Sequence, residues 1–295
     1  MRTILLALLA LVLALPARAA GPIPVVATLP DLADFTRQIG GPRVEVKSLL
    51  TGLEDVHTYE PKVSDVKAVS RARVMVTVGL GLEEWVKRLL RNAGRDGLIV
   101  AETSRGASLI ADGGQHEGGH RHGPANPHIW LDPANVAVMC RNIAAALEKV
   151  DPAGRDTYRE GLSAYLRRVD EAAARLRAEV AGLKDRRFLS YHPAWPYFAR
   201  GFGFELAGVV SAIPGHEPSA KAMAALIERV RAEKIRVLVS EPQLSSKVPR
   251  LLAQEAGIRV VVLSDLLGYG STKTYVEHME ENVRTLVSAL REAPP

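Results

Sequence analysis

The sequence has one cysteine, no excess of one charge sign and no hydrophobic run long enough to cross a membrane. A single thiol, Cys140, excludes an internal disulfide. It lies in VAVMC, inside a helical apolar pattern, and reads as a buried inert thiol rather than a metal ligand. The longest apolar run, residues 4–15, falls well short of the roughly 18 residues that argue for a membrane span. The 38 basic residues outnumber the 33 acidic ones only slightly, and they are spread along the chain without a stripe or interleaved aromatics. Nucleic acid is therefore not an expected partner. A Gly-x-Ser-x-Gly elbow and a glycine-rich phosphate loop are both missing, and no catalytic residue is assigned.

What is there fits an exported globular protein. Hydrophobic content of 47% and charged content of 24% are ordinary for a soluble chain, and 295 residues suggest two domains. Met1 and Arg2 open a positive start, residues 4–15 are apolar, and Ala17-Arg18-Ala19 resembles a cleavage site. Residues 1–19 read as a cleavable signal peptide. Its removal takes away Arg2 and Arg18, leaving 36 basic residues against 33 acids and a net charge of +3. No cysteine follows the apolar run, so a lipid anchor is not expected. The predicted location is the periplasm.

The mature chain alternates strand and helix patterns. Strands are predicted at 24–29, 44–50, 74–78 and 98–101. Helices fall at 32–39 and 82–91, and Pro61 suits the first turn of another between them. The run VMVTV (74–78) is continuous and β-branched, as in a parallel strand covered on both faces. A helix from Pro133 to Val150 follows. A second starts at Asp151-Pro152 and runs to about Leu183. Its apolar positions are Tyr158, Leu162, Tyr165, Val169, Ala172 or Ala173, Leu176, Val180 and Leu183, one stripe at spacings of 3 and 4. The alternation then repeats, with strands at 187–191, 204–210, 237–240 and 260–263 and helices at 219–233, 247–255 and 272–290. The fold class is α/β: two (βα) lobes, each with a four-stranded, mostly parallel sheet, joined by one long rigid helix. The expected boundaries are 22–150 for the N-terminal lobe with its His-rich loop at 113–125, 151–184 for the connecting helix and 185–295 for the C-terminal lobe.

The stretch QHEGGHRHGPANPHIWLDP (115–133) carries four of the eight histidines. His116, His120 and His122 sit among glycines and charges, whereas His128 sits between prolines in an apolar setting. The first three read as an auxiliary, weakly metal-binding loop, and His128 as a fixed ligand. His116-Glu117-Gly118-Gly119-His120 also matches H-E-x-x-H. That protease motif needs a helix, and two internal glycines make a helix here untenable.

In open α/β sheets, ligands bind beyond the carboxyl ends of the strands. Four metal-competent side chains follow predicted strands: His57, His128, His192 and Asp265. Each has a plain structural reading too, as a loop histidine, a strand-end residue or a turn cap. Their common placement favours one shared site of three imidazoles and a carboxylate, a donor set suited to zinc. His216 reads as a loop residue, His278 as exposed on the last helix, and Glu60 as part of a helix start.

Four segments carry a resemblance: GLEDVHTYEP (52–61), NPHIWLDP (126–133), YHPAWPYFARGFGFE (191–205), and GHEPSAKAMAALIERVRAEKIRVLVSEPQLS (215–245) followed by VVLSDLLG (261–268). They are similar to zinc/manganese-type solute-binding proteins of ATP-driven (ABC) metal importers, zinc subgroup (cluster A-I). The resemblance implies a metal cleft between two lobes and ligands at His57, His128, His192 and Asp265. Histidine rather than glutamate at 192, and a His-rich loop before the second ligand, are zinc-type features. Some zinc-type members carry a second-lobe disulfide, which Cys140 alone cannot form. The implied function is capture of Zn2+ as a transported ligand and its delivery to a membrane permease. The alternatives are manganese or iron carriage within the family and, outside it, an exported zinc hydrolase or a surface adhesin. A monomer is expected, and the loop could receive metal from a periplasmic metallochaperone. The stiff connector predicts small lobe movements, with release by rearrangement of ligand loops, particularly 268–271.

Overall fold

The structure, a computed structural model, describes residues 21–111, 125–211, 219–268 and 273–292. The expected signal peptide, His116, His120, His122, His216 and residues 269–271 lie outside the described residues. No helix among the described residues is long and apolar enough to cross a membrane.

The first sheet contains β1 (Ile23–Ala27), β2 (Val44–Ser48), β3 (Val74–Thr77) and β4 (Ile99–Glu102), in the order β2-β1-β3-β4. All its pairings are parallel, with Val25 facing Val46 on one side and Val74 on the other. The run VMVT in β3 is buried throughout, whereas β2, at the sheet edge, alternates half-buried and exposed residues. The second sheet contains β5 (Arg187–Ser190), β6 (Glu205–Val209), β7 (Val237–Ser240) and β8 (Arg259–Val262). Its order, β6-β5-β7-β8, repeats that of the first, again all parallel. The predicted duplication is therefore present in the topology.

Helices α1 (Pro30–Gly40), α2 (Val63–Arg71) and α3 (Val86–Ala93) connect the first sheet. Then come α4 (Pro133–Val150) and α5 (Arg155–Ala181). The second lobe adds α6 (Pro196–Phe202), α7 (Ala220–Ala232), α8 (Lys247–Ala256) and α9 (Tyr275–Glu292). The 27 residues of α5 span about 40 Å. The predicted stripe is its packed face: Tyr158, Tyr165, Val169, Ala172, Ala173, Leu176 and Val180 are buried. They lie against α1 and α4 on one side and α6 and α9 on the other. At Gly161 a Cβ would collide with the Ile39 carbonyl, so only glycine lets α1 and α5 come this close. The helix starts later than predicted, after a 3-10 turn at Pro152–Gly154.

Three other expectations are corrected. Pro61 lies outside α2, because the Asp65 carboxylate reaches back to accept from Lys62 N at 2.8 Å and makes Lys62 the cap. Helix α3 begins at Val86, four residues later than predicted. Gly79, Leu80 and Gly81 all adopt positive φ, and the buried Glu83 carboxylate folds back onto Val78 N, Gly79 N and the Thr28 hydroxyl. Finally, His278 is buried rather than exposed. Its Nε2 lies 3.0 Å from the Ser264 carbonyl, and burial holds its pKa below the ordinary imidazole value. Cys140 is buried and free, and burial pushes its thiol pKa far up.

Candidate metal centre

Each candidate side chain is set by its own local device. His57 lies in the loop after β2, where Asp55 Oδ1 accepts its backbone N–H at 2.9 Å. The Trp85 indole donates to the preceding carbonyl, Val56 O, at 2.9 Å and ties that loop to the lobe. His128 is 1% exposed. The Asn126 carboxamide oxygen accepts from its backbone N at 3.0 Å and lies 2.9 Å from its Nδ1. An amide oxygen can only accept, so Nδ1 carries the proton and Nε2 bears the lone pair that a metal would take. Asn126 Nδ2 in turn donates to Pro193 O at 2.6 Å, directly after His192. One amide thus orients the second histidine and grips the backbone of the third. His192 follows β5 closely and is 6% exposed.

The structure brings these three imidazoles together across the lobes. Their donor atoms lie within 4.8 Å of one another, and ring centroids are 5.3, 5.4 and 4.9 Å apart for the 57–128, 57–192 and 128–192 pairs. Zinc–nitrogen bonds of about 2.0–2.1 Å in a tetrahedron would separate the nitrogens by about 3.3 Å. Only slight closure would be needed. Neither Asp265 nor Glu241 is in this close set, but both line the same small cavity as His57 and His192, together with Gln243. The cavity holds about 20 Å³, room for one ion or water rather than an organic substrate.

Asp265 is pinned by its backbone: the Trp130 indole donates to its carbonyl at 2.6 Å. Burial pushes its carboxyl pKa up to about 7. From α1, Asp31 Oδ2 accepts from Leu267 N at 3.0 Å, and Asp34 Oδ2 accepts from Tyr275 N at 3.0 Å. These first-lobe carboxylates fasten the second lobe at Leu267 and at Tyr275. Burial raises the Asp31 pKa to about 8. Gly268 has φ +103°, and a Cβ there would strike the Thr51 carbonyl. Gln243 Nε2 spans the lobes to Gly52 O at 2.8 Å.

Residues 25–289 match the family described as zinc-uptake complex component A, periplasmic (ZnuA). The chain belongs to the ZnuA family. A Treponema pallidum (strain Nichols) protein, metal-binding by its name, is 31% identical over 274 residues, covering 90% of this chain and 87% of its own. The zinc-binding lipoprotein AdcA of Streptococcus pneumoniae (strain ATCC BAA-255 / R6) is 27% identical over 280 residues. That match covers 91% of this chain but 56% of AdcA. A crystal structure of ZnuA superposes with a TM-score of 0.81 at 28% identity, covering 91% of this chain and 99% of the other.

Sequence reasoning missed Glu241. It directly follows β7, is 3% exposed, and burial pushes its carboxyl pKa well up. The rule that singled out His192, a metal-competent side chain just past a buried strand, also applies to VLVSE (237–241). Asn126, Asp31 and Trp130 were missed too: Asp31 and Trp130 act on backbone groups distant in sequence, and Asn126 adds to its neighbour His128 a grip on the distant Pro193 carbonyl.

Proposed function

We propose that this chain captures Zn2+ in the periplasm and delivers it to the permease of an ABC-type importer. The observation that carries the reading is the convergence of three imidazoles from two lobes on a cavity of ion size. His57, His128 and His192 supply nitrogen, and Asp265 supplies oxygen after a small inward movement. The residues fit the ion: Asn126 fixes the His128 tautomer, and Asp265 brings negative charge where, among the described residues, no lysine or arginine lines the cavity. Three imidazoles favour zinc over manganese, which prefers oxygen-rich sites. The zinc-named relatives support the same choice.

In this reading the protein is a binding protein, not an enzyme, works as a monomer, and reaches the periplasm after loss of residues 1–19. His116, His120 and His122 gather metal weakly. The lobes bury their contact, so release comes from the loops that carry the ligands rather than from a wide hinge. Isothermal titration of the His192→Ala variant with zinc tests the reading. Affinity should fall by at least about a hundredfold. Binding equal to the unmutated protein would remove the central site.

A further inference from the structure

We propose that Glu241 is a second oxygen donor to the bound cation, beside Asp265 on the second lobe's wall of the cavity. The inference rests on the zinc-site reading above and adds a ligand to it. Three independent observations carry it.

The first is position in the fold. From β5 the chain moves out to β6, then crosses back to β7 on the other side of β5. The crevice beyond β5 and β7 is therefore the point where strand order reverses, the place where open α/β sheets bind ligands. His192 comes off β5, and Glu241 comes off β7.

The second is an unsatisfied oxygen. The Trp195 indole N–H donates to Glu241 Oε1 and fixes the carboxylate. Oε2 is buried and has no hydrogen-bond partner among the described residues. Leaving a carboxylate oxygen buried without a donor is costly. A cation in the shared cavity removes that cost.

The third is charge. Glu241 and Asp265 are both buried on the same cavity wall. Among the described residues, no lysine or arginine lines the cavity to offset them. Glu54 and Asp55 also line it, but they are only half-buried and accept from Thr51, His57 and Thr58. Glu241 and Asp265 are therefore the buried carboxylates placed to offset a divalent cation held by three neutral imidazoles. If Glu241 served only to accept from Trp195, glutamine would do as well, since its amide oxygen accepts the same bond.

That equivalence sets the experiment. The full chain and its Glu241→Gln, Asp265→Asn and His192→Ala variants are titrated with zinc and with cobalt(II), after circular dichroism confirms the fold. Glu241→Gln should weaken zinc binding by about tenfold to a hundredfold. It should also shift the visible absorption of bound cobalt toward a lower coordination number. Unchanged affinity and spectrum would overturn the proposal, leaving Glu241 as an acceptor for Trp195. Weakened binding with an unchanged cobalt spectrum would also overturn it, because the residue would then only position others. Zinc-edge X-ray absorption on the unmutated protein needs no variant: three imidazoles and two oxygens are expected, and a single oxygen refutes the assignment. If His192→Ala binds zinc normally, the three-imidazole site fails and takes the Glu241 assignment with it. If His192→Ala loses zinc while Glu241→Gln does not, the present inference alone fails.

Discussion

The two lobes have the same strand order but different cores. In the first lobe, the outer helices α2 and α3 place Val69, Val86 and Leu89 in one continuous core with α1, α4, α5 and α9. In the second lobe, the outer layer stands apart: Leu189, Val230, Ile235, Leu238 and Leu252 form a small cluster of their own. Helix α7 buries only Val230 along its length. The sheet of the second lobe thus separates two cores, since Phe188, Val237 and Val239 point into the large one. The inner side of that lobe, where His192 and Glu241 leave their strands, is tied to the first lobe. Its outer side can loosen without disturbing them.

Three measurements would break or sharpen this contrast. Phe35, fully buried in α1 with its ring 4.9 Å from Tyr275, sits in the continuous core. Phe35→Ala should cost about 3–5 kcal/mol of unfolding free energy in denaturant titrations, whereas Leu252→Ala in α8 should cost nearer about 2 kcal/mol because its thin layer can settle. Equal losses would erase the distinction. Native-state hydrogen exchange should next show the α7 and α8 amides opening at a free energy at least about 2 kcal/mol below those of α4 and α5. Uniform protection would mean a single cooperative unit.

The smallest effect concerns protons. The Asp265 pKa rises from an ordinary 3.8 to about 7 in the folded protein without metal. Between those values the folded chain holds a proton that the unfolded chain lacks. The resulting stabilisation is full below about pH 4 and is lost as pH rises through about 7. With Asp265 as the proposed ligand, metal binding at pH 6 would expel that proton. Zinc titrations in buffers of different ionisation heat should therefore show up to about one proton more released at pH 6 than at pH 8. The Asp265→Asn variant should lack that increment, and an identical increment in the variant would assign the proton elsewhere.

Much of the architecture was legible because local pattern and tertiary burial agree. VMVT is a continuous run buried throughout, and the 3-and-4 spacing along α5 is the face that is buried, whereas VVVL forms its strand although Val262 is exposed. Helix α6 was not read as a helix. It has seven residues, opens with Pro196 and is stopped by Gly203 at φ +85°, too short for a period to show. His278 was misplaced because its partner, the Ser264 carbonyl, belongs to a distant turn. At the site, the histidines stood out by type and by place after strands. Trp130 and Asp31 did not, since they grip backbone atoms that only the folded chain brings near, and the Asn126 hold on the His128 ring depends on a local turn that residue type alone does not reveal.

The clasp between α1 and the chain's end has a temporal consequence. Asp34 on the first long helix grips the amide of Tyr275, and Asp31 grips Leu267, each across more than two hundred residues. A polypeptide threaded through a membrane from its N-terminus would present those carboxylates early, with nothing to grasp. Those contacts could form only after residue 275 had emerged, so a cleft that they hold would take shape on the far side.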